Sequence, residues 1–287
     1  MMIRTRARLL PATLFAAFAV VAACSDEPST PAGPIDVSLQ FAAAVNGQSF
    51  NCGASFTNVG ASQTTITPVD FRFYVHDVAL LDSNGAAVPL TLEQDGLWQR
   101  ENLALLDFEN GSGPCVNGTA ATNTTVRGEV PAGDYSGVRF TLGVPFSMNH
   151  QDQTTAQAPL DLTALFWSWN GGYKFARMDH TSAAQPDGWF VHLGSTGCSP
   201  AGTPTTPATA CSNEHRLTVT FNGFDWTSNQ VVADLGAILS QSDLTQNSAA
   251  KGCMSFPGDP ECHAVLPALG LAYEGTAAQP QRLFSVR

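Results

Sequence analysis

Residues 69–81 read VDFRFYVHDVALL, and this stretch decides the fold class. Its first half places alternating side chains on two faces: Phe71, Phe73 and Val75 on one, and Arg72, Tyr74 and His76 on the other. A repeat of two residues is typical of a β-strand with one apolar and one polar face. The turn sequence SNG at 83–85 follows, and residues 88–92 predict the returning strand.

The same signal recurs along the chain. Further strands are predicted at 37–45, 125–130, 135–142 and 216–221, and the dipeptide Asn46-Gly47 after the first of them is a hairpin signal. Short helices are predicted at 161–169 and 234–240. Residues 143–197 read as a long irregular segment rich in aromatic residues and histidines. The pattern predicts a mainly β fold, a β-sandwich or barrel-like domain with long irregular loops, short helices and disulfides.

The N-terminus carries export signals. Three arginines precede an apolar run at 9–23, which is shorter than the roughly 20 residues that span a bilayer. Residues 1–23 are therefore predicted to be a signal peptide. The small residues VAA at 21–23 precede Cys24, as in a bacterial lipobox, so we expect Cys24 to carry lipid. The Ser- and Pro-rich residues 24–34 predict a flexible tether, and residues 35–287 a folded β domain.

These signals predict a lipid-anchored protein of the periplasm or cell surface. Ser25 stands where an aspartate retains lipoproteins at the inner membrane, so the outer membrane is favoured. The net charge of −11 argues against nucleic acid and anionic lipid headgroups as partners. Contact with the membrane is therefore expected through the lipid anchor only. An acidic surface suits metal cations or a basic protein partner.

Six cysteines remain besides Cys24: Cys52, Cys115, Cys198, Cys211, Cys253 and Cys262. An even number in an exported protein predicts disulfides. Proximity suggests the pairs Cys198–Cys211 and Cys253–Cys262, and elimination then leaves Cys52 with Cys115. No C-x-x-C motif occurs, so neither a zinc ribbon nor a thioredoxin-type centre is indicated.

Five blocks of sequence, in this order, resemble one family. They are DFRFYVHDV at 70–78, LLDFE at 105–109, LGVPF at 142–146 with Asn149-His150, FWSWNGGYKF at 166–175 and HLGSTGC at 192–198. Together they are similar to the "metallo-mystery pair, four-Cys motif" proteins, also called MbnP-like proteins, over about residues 35–234. The family's four cysteines correspond to Cys52, Cys115, Cys198 and Cys211. Cys253 and Cys262 form a pair beyond the motif.

The resemblance implies a periplasmic or surface copper-binding protein with copper as its cofactor. It also implies a partner, a di-haem cytochrome c peroxidase-like (MbnH-like) protein encoded alongside. Related surface copper proteins hold Cu(I) with two histidines and kynurenine, an oxidised tryptophan. The resemblance implies that the di-haem partner carries out that oxidation.

The blocks supply candidate residues for this chemistry. His76 and His192 are the expected copper ligands, with His150 as a third, because imidazoles suit Cu(I). His180 has weaker context, and His215 and His263 lie outside the blocks and are expected to face solvent. The candidates for oxidation are Trp167 and Trp169, and then Trp189 and Trp98. Such a tryptophan should lie near the surface, because its electrons must reach a haem in another protein.

Two other functions stay open from the residues alone. Acidic side chains together with the histidines could bind a metal for hydrolysis: Asp70, Asp77, Asp107, Glu109 and Asp179. However, no H-E-x-x-H motif is present, and GSTG at 194–197 does not match G-x-S-x-G. The chain is therefore expected not to be an enzyme. A metal-dependent hydrolase is one alternative, and a structural or adhesion lipoprotein without metal is the other.

Overall fold

Two β-sheets pack face to face in the structure, a computed structural model that describes residues 33–200, 206–248 and 250–287 together with Met2. The strands are, in chain order, β1 (Ile35–Val45), β2 (Gln48–Ser49), β3 (Phe56–Val59), β4 (Thr64–Asp82), β5 (Ala87–Pro89), β6 (Thr91–Leu92), β7 (Gln99–Arg100), β8 (Leu103–Asp107), β9 (Thr125–Val130), β10 (Tyr135–Leu142), β11 (Phe166–Ser168), β12 (Gly172–Tyr173), β13 (Ala176–Ser182), β14 (Trp189–Leu193), β15 (Thr196–Ser199), β16 (Ala210–Asn213), β17 (Leu217–Asn222), β18 (Gln230–Asp234), β19 (Gly252–Cys253) and β20 (Phe284–Val286).

Helices are short in the described residues. The α-helices are α1 (Phe146–Asn149), α2 (Leu235–Leu239) and α3 (Cys262–Ala268), and single 3₁₀ turns occur at Gln153–Thr155 and Thr163–Leu165. The Asp234 carboxylate caps α2 by accepting from Gly236 N at 2.8 Å, and it also accepts from Gly47 N at 2.7 Å. This one side chain therefore joins the β1–β2 turn to the start of α2.

The strands form two main sheets. Sheet one runs β20-β18-β1-β9-β6, with β2 paired to β1. Sheet two runs β17-β10-β4-β13-β14-β19, with β3, β5 and β8 also paired to β4 and β7 paired to β8. Two ribbons, β11–β12 and β15–β16, lie outside them. The long strand β4 organises sheet two, because five strands pair with it at successive positions.

Aromatic side chains between the sheets form the core. Phe41 of β1 lies 6.2 Å from Phe73 of β4 and 5.5 Å from Phe140 of β10, measured between ring centroids. Phe284 of β20 lies 5.1 Å from Phe140. All four rings are buried, and such edge-to-face contacts stabilise beyond the area they bury. The fold is mainly β and sandwich-like, as the sequence predicts.

Most predicted strands are present, and the differences lie between them. The returning strand at 88–92 is divided: β5 pairs with β4 in sheet two, whereas β6 pairs with β9 in sheet one. The prediction of a helix at 161–169 is wrong, because these residues form a 3₁₀ turn that is followed directly by β11. Residues 143–197, expected to be irregular, contain β13 and β14, which lie within sheet two. The helix α3 was not predicted.

Three disulfides are present, and all three predicted pairings are confirmed: Cys52–Cys115, Cys198–Cys211 and Cys253–Cys262. Cys198 and Cys211 stand directly opposite each other in the β15–β16 ribbon. Cys253 and Cys262 join β19 to α3 and are fully buried.

The export signals lie almost wholly outside the described residues. This applies to the signal peptide at 1–23, to Cys24 and to the tether apart from Gly33 and Pro34. Residues Gly33–Arg287 form one compact unit, which contains the β domain expected at 35–287. Within the described part of the chain, no helix has the length and apolar character needed to cross a membrane.

Candidate functional site

The outer face of sheet two, turned away from sheet one, carries the polar side chains of β4. Phe73 points into the core, whereas the hydroxyl of Tyr74 donates to the carbonyl oxygen of Pro159 at 2.8 Å, in the segment that covers the other face. Side chains alternate along a strand. Arg72 and His76 therefore lie on the same face as Tyr74, as the sequence predicts.

A network of buried charges crosses this outer face. Arg72 Nε donates to Asp70 Oδ1 at 2.9 Å, and Glu109 Oε1 lies 3.5 Å from Arg72 Nη2. Arg177 Nε lies 3.1 Å from Asp70 Oδ2 and 2.7 Å from Asp179 Oδ2. All three acids are fully buried, and a buried carboxylate is tolerated only with such partners. Because the arginines hold them, these carboxylates are poorly placed to form the hydrolytic metal site of the alternative reading.

His192 ends this network. Its Nε2 lies 2.8 Å from Asp179 Oδ1, and its ring stacks on Phe190 with 5.4 Å between centroids. Burial alone would raise the pKa of Asp179, but His192 and Arg177 outweigh it and hold that pKa below its ordinary value. A carboxylate on one ring nitrogen is the usual support of a metal-ligating histidine. Here it leaves Nδ1 of His192 as the nitrogen available to a ligand.

His76 shows the same arrangement further along β4. Its Nδ1 lies 2.9 Å from Asp77 Oδ2, and its Nε2 is buried without a hydrogen-bond partner. Burial lowers the pKa of His76, although the Asp77 carboxylate opposes this. A metal ligand must be a neutral imidazole with a free nitrogen, and His76 meets both conditions.

The predicted ligands do not meet at one point. Strand pairing places His192 opposite Arg177, and Arg177 opposite Arg72, which is four residues before His76 on β4. The residue and strand spacings of a sheet then put His192 and His76 roughly 15 Å apart. This arrangement therefore does not give the single centre expected for His76, His192 and His150, because the ligands stand on strands fixed at different positions.

His150 lies at a third place, beside the disulfide Cys198–Cys211. Its Nδ1 lies 2.9 Å from the carbonyl oxygen of Trp169, and its Nε2 lies 3.0 Å from Asn149 Nδ2 and 3.4 Å from Cys211 Sγ. Burial lowers the pKa of His150. Both sulfurs and a ring nitrogen of His150 lie within 4.8 Å of one another. Metals bind thiolates, so these sulfurs are not ligands while they are bonded to each other.

Two further histidines are buried. The ring of His180 stacks on Trp189 with 5.6 Å between centroids, and neither of its nitrogens has a hydrogen-bond partner. Burial lowers the pKa of His180 to about 4. His215, expected to face solvent, is only 8% exposed, and its Nδ1 lies 2.9 Å from the carbonyl oxygen of Gly194. That expectation is wrong because the turn before β17 lies against the end of β14. His263 is exposed as predicted.

The four candidate tryptophans occupy different environments. Trp189 is fully buried in the core, so it fails the expectation that an oxidised tryptophan lies near the surface. Trp98, Trp167 and Trp169 are half-buried. Trp98 lines a cavity of about 200 Å³ together with Arg72. The carbonyl oxygen of Trp169 faces His150.

Gly194 contacts both one of these tryptophans and one of the buried histidines. A Cβ added at Gly194 would lie 2.4 Å from Trp167 Cζ3, so the indole packs directly on this glycine. His192 lies two residues before Gly194 in the chain, and His215 contacts its carbonyl oxygen. Phe256, 48% exposed, flanks the indole at 5.3 Å between ring centroids. Sequence reasoning missed His215 because its contact is with a residue 21 positions away.

The chain is similar to known proteins over most of its length. The family model for MbnP matches residues 34–255. The chain belongs to the MbnP family. A solved structure, MbnP from Methylosinus trichosporium, is 33% identical with a TM-score of 0.78, and the match covers 89% of this chain and 99% of that one. No curated protein matches significantly.

Membership of the MbnP family confirms the resemblance stated from the sequence and extends it. The resemblance stated from the sequence ends near residue 234, whereas the MbnP match continues to residue 255 and includes Cys253. The four-Cys motif and the region around Gly194 both lie inside the match. The remaining residues, including α3 and β20, lie outside it.

Proposed function

We propose that this MbnP-family chain is a lipid-anchored copper-binding protein of the periplasm or cell surface. The observation that carries the proposal is the pair of buried histidines near Gly194, each with one ring nitrogen already held. Asp179 holds Nε2 of His192, and the Gly194 carbonyl holds Nδ1 of His215. Metal-ligating histidines are oriented in this way by a carboxylate or a backbone carbonyl.

His192 and His215 would then hold copper through their remaining nitrogens. Copper(I) accepts few ligands and binds imidazole, so two histidines and one further donor suffice. Burial lowers the pKa of His215, which keeps its imidazole neutral, the state that binds a metal. His76 remains a separate candidate, because its free Nε2 is also buried.

Copper titration of single variants tests this assignment. We expect His192→Ala and His215→Ala to weaken Cu(I) binding by roughly 100-fold or more, as the loss of a direct ligand should exceed the loss of a supporting partner. His76→Ala and His150→Ala should remain within a few-fold, and the exposed His263→Ala serves as the matched control. Equal copper uptake by the wild type and the His192→Ala/His215→Ala double variant would overturn the assignment. Loss of uptake in His76→Ala alone would move the site to β4.

The third donor is proposed to come from Trp167 after oxidation to kynurenine by a di-haem cytochrome c peroxidase-like partner. Indole offers only an N–H donor, whereas the opened ring carries an aniline nitrogen with a lone pair. Trp167 is half-buried, packs on Gly194 and has the exposed Phe256 beside it. These features support access of a partner to the Trp167 ring, which packs on the glycine that His215 contacts.

Peptide mass spectrometry of protein made with and without the di-haem partner tests the oxidation. Kynurenine differs from tryptophan by one oxygen gained and one carbon lost. We expect this change at Trp167 only in the presence of the partner. Trp98 and Trp169 are the internal controls, because they are similarly half-buried but lie elsewhere. Modification of another tryptophan, or of none in the native host, would reject Trp167.

The anchor is proposed to be lipid on Cys24, in the outer membrane. Fractionation of cells that produce Cys24→Ala tests it. Stable anchoring needs more than one acyl chain, so loss of the lipidated cysteine should release the protein or block its processing. Membrane association at mature size in the Cys24→Ala variant would contradict lipidation.

A further inference from the structure

The disulfide Cys198–Cys211 lies against a histidine whose orientation is fixed. A hydrogen bond from Nδ1 of His150 to the carbonyl oxygen of Trp169, 2.9 Å away, assigns the ring proton to Nδ1. The lone pair of Nε2 then points towards Asn149 Nδ2 at 3.0 Å and Cys211 Sγ at 3.4 Å. The imidazole is buried and neutral, because burial lowers its pKa.

The backbone keeps the two cysteines together independently of their bond. They form a directly opposed pair in the β15–β16 ribbon, with Thr196 opposite Asn213 on one side and Ser199 opposite Ala210 on the other. The side chains of such a pair stay about 5 Å apart at Cβ. Thr209 N also donates to Ser199 O at 2.7 Å. Breaking the sulfur–sulfur bond therefore leaves both sulfurs beside Nε2 of His150.

We propose that Cys198, Cys211 and His150 form a second metal site that opens only when the disulfide is reduced. Two thiolates and one imidazole suit a thiophilic d¹⁰ ion, and Zn(II) is the simplest probe. This inference goes beyond the proposed copper function, because it uses neither His192 nor His215. In the oxidised protein the sulfurs cannot act as thiolates, so the site is closed.

The opening step is a balanced thiol–disulfide exchange. A dithiol donor is oxidised to its own disulfide while two electrons and two protons pass to the sulfurs of Cys198 and Cys211. Binding of Zn(II) then releases the two thiol protons, and neutral His150 supplies Nε2 without losing a proton. The site therefore couples a change of redox state to metal uptake.

Exposure makes this disulfide the most accessible of the three. Cys198 and Cys211 are both half-buried. In the other two disulfides at least one sulfur belongs to a fully buried residue: Cys115, Cys253 and Cys262. Because exchange needs access to the attacked sulfur, a limited amount of reductant should open the Cys198–Cys211 bond first.

Zinc titration of the mature protein before and after limited reduction tests the proposal. A tertiary phosphine serves as reductant, since it takes the oxygen of water as phosphine oxide and delivers two electrons and two protons to the disulfide. After its removal without oxygen, alkylation and peptide mapping identify the free thiols. We expect free thiols at Cys198 and Cys211, and one more Zn(II) bound per chain than in the oxidised protein.

Variants separate this site from other sources of zinc binding. His150→Ala keeps both cysteines and should weaken the affinity for the additional Zn(II) by roughly tenfold or more. His263→Ala, which removes an exposed histidine, should not. Cys198→Ser/Cys211→Ser should lose the additional zinc but keep copper binding in the oxidised protein, which distinguishes this site from the proposed copper site. Equal zinc uptake before and after reduction, or no effect of His150→Ala on the additional zinc, would overturn the proposal.

Discussion

His180 is a polar, titratable residue in a fully buried position. Both ring nitrogens are buried without partners, and the ring stacks on Trp189. The folded protein keeps His180 neutral down to about pH 4, whereas an unfolded chain protonates histidine below about pH 6.5. Because the unfolded state then binds more protons, His180 contributes a loss of stability as the pH falls from 6.5 towards 4.

Replacement of His180 by phenylalanine should remove this dependence. The aromatic stacking is kept and two unpaired polar atoms disappear, so we expect a gain of about 1 kcal/mol near neutral pH. The advantage over the wild type should grow by up to about 3 kcal/mol between pH 6.5 and 4. Urea unfolding at several pH values measures it, with His263→Phe as the exposed control. Parallel pH profiles for the wild type and His180→Phe would contradict this account.

Asp107 should have the opposite effect on the pH dependence of stability: it should lower the stability of the fold as the pH rises. Burial, which outweighs the lowering effect of Arg72 and is helped by the nearby Glu109 carboxylate, raises the pKa of Asp107 to about 7. The folded state therefore favours the protonated acid, and the stability this gives is lost as the pH rises through 7. Asp107→Asn keeps a carbonyl oxygen for the Glu109 amide, which donates to Asp107 at 3.1 Å. Between pH 4 and 8 we expect the free energy of unfolding of the variant to rise by about 2 kcal/mol relative to that of the wild type, allowing for solvent screening.

Urea unfolding of Asp107→Asn across this pH range provides the measurement. Glu129→Gln, an exposed acid on β9, is the matched control and should leave the pH profile unchanged. A wild-type advantage that increases with pH would show that Asp107 is charged in the folded state and would reject the argument.

The strand β14 and the glycine after it form the element on which the proposed copper site depends. Gly194→Ala would place a Cβ 2.4 Å from the Trp167 ring, so the indole must move away. We expect about 1–3 kcal/mol of destabilisation, a shift in tryptophan fluorescence and a loss of Trp167 oxidation. Gly33→Ala is the control, because nothing lies within 4 Å of its added Cβ. Unchanged fluorescence and oxidation in Gly194→Ala would show that Trp167 does not depend on this contact.

The elements found from the sequence are those whose own side chains alternate. β9 and β10 have the predicted ranges, and β4 contains its predicted range 69–81 but begins five residues earlier, at Thr64. Each of these strands has alternating side chains. β13 reads ARMDHTS, and its outward Arg177 and Asp179 suggest a loop. Asp179 is fully buried and Arg177 half-buried because Asp70 and His192 on neighbouring strands neutralise them. A single sequence cannot show such partners in advance.

The sequence predicts only part of the candidate site, again because contacts between distant strands cannot be seen in a single sequence. His192 was named from its block, and Trp167 was among the four named tryptophans. His215 is expected from the sequence to face solvent, because the contact that buries it, with Gly194, is made across the fold rather than along the chain. His76 and His192 were expected to meet, but strand register separates them along β4. Residue types and motifs identified the chemistry, and pairing of distant strands decided which residues share a neighbourhood.

At the scale of the molecule, the disulfides should differ in their contribution to stability. Cys52–Cys115 closes a sequence separation of 63 residues, against 13 for Cys198–Cys211. The chain-entropy model gives about 4 kcal/mol for the longer loop and about 3 kcal/mol for the shorter one. We therefore expect Cys52→Ala/Cys115→Ala to lower the free energy of unfolding more than Cys198→Ala/Cys211→Ala does. Urea unfolding of both double variants measures it, and the reverse order would reject a loop-entropy origin.

Sheet one joins distant parts of the chain, since Phe41 of β1 pairs with Val231 of β18, and β20 pairs with β18 beyond it. A chain that emerges from its N-terminus, from the ribosome or across a membrane, therefore holds β1 without its parallel neighbour until residues past 230 arrive. Such high contact order slows folding. Phe284 packs on Phe73 and Phe140 in the core, so the core is complete only after the last residues of the chain have been added. A translocation intermediate arrested before β18 would leave the edge of β1 that pairs with β18 without its hydrogen-bond partners, and quality-control proteases could recognise this open edge.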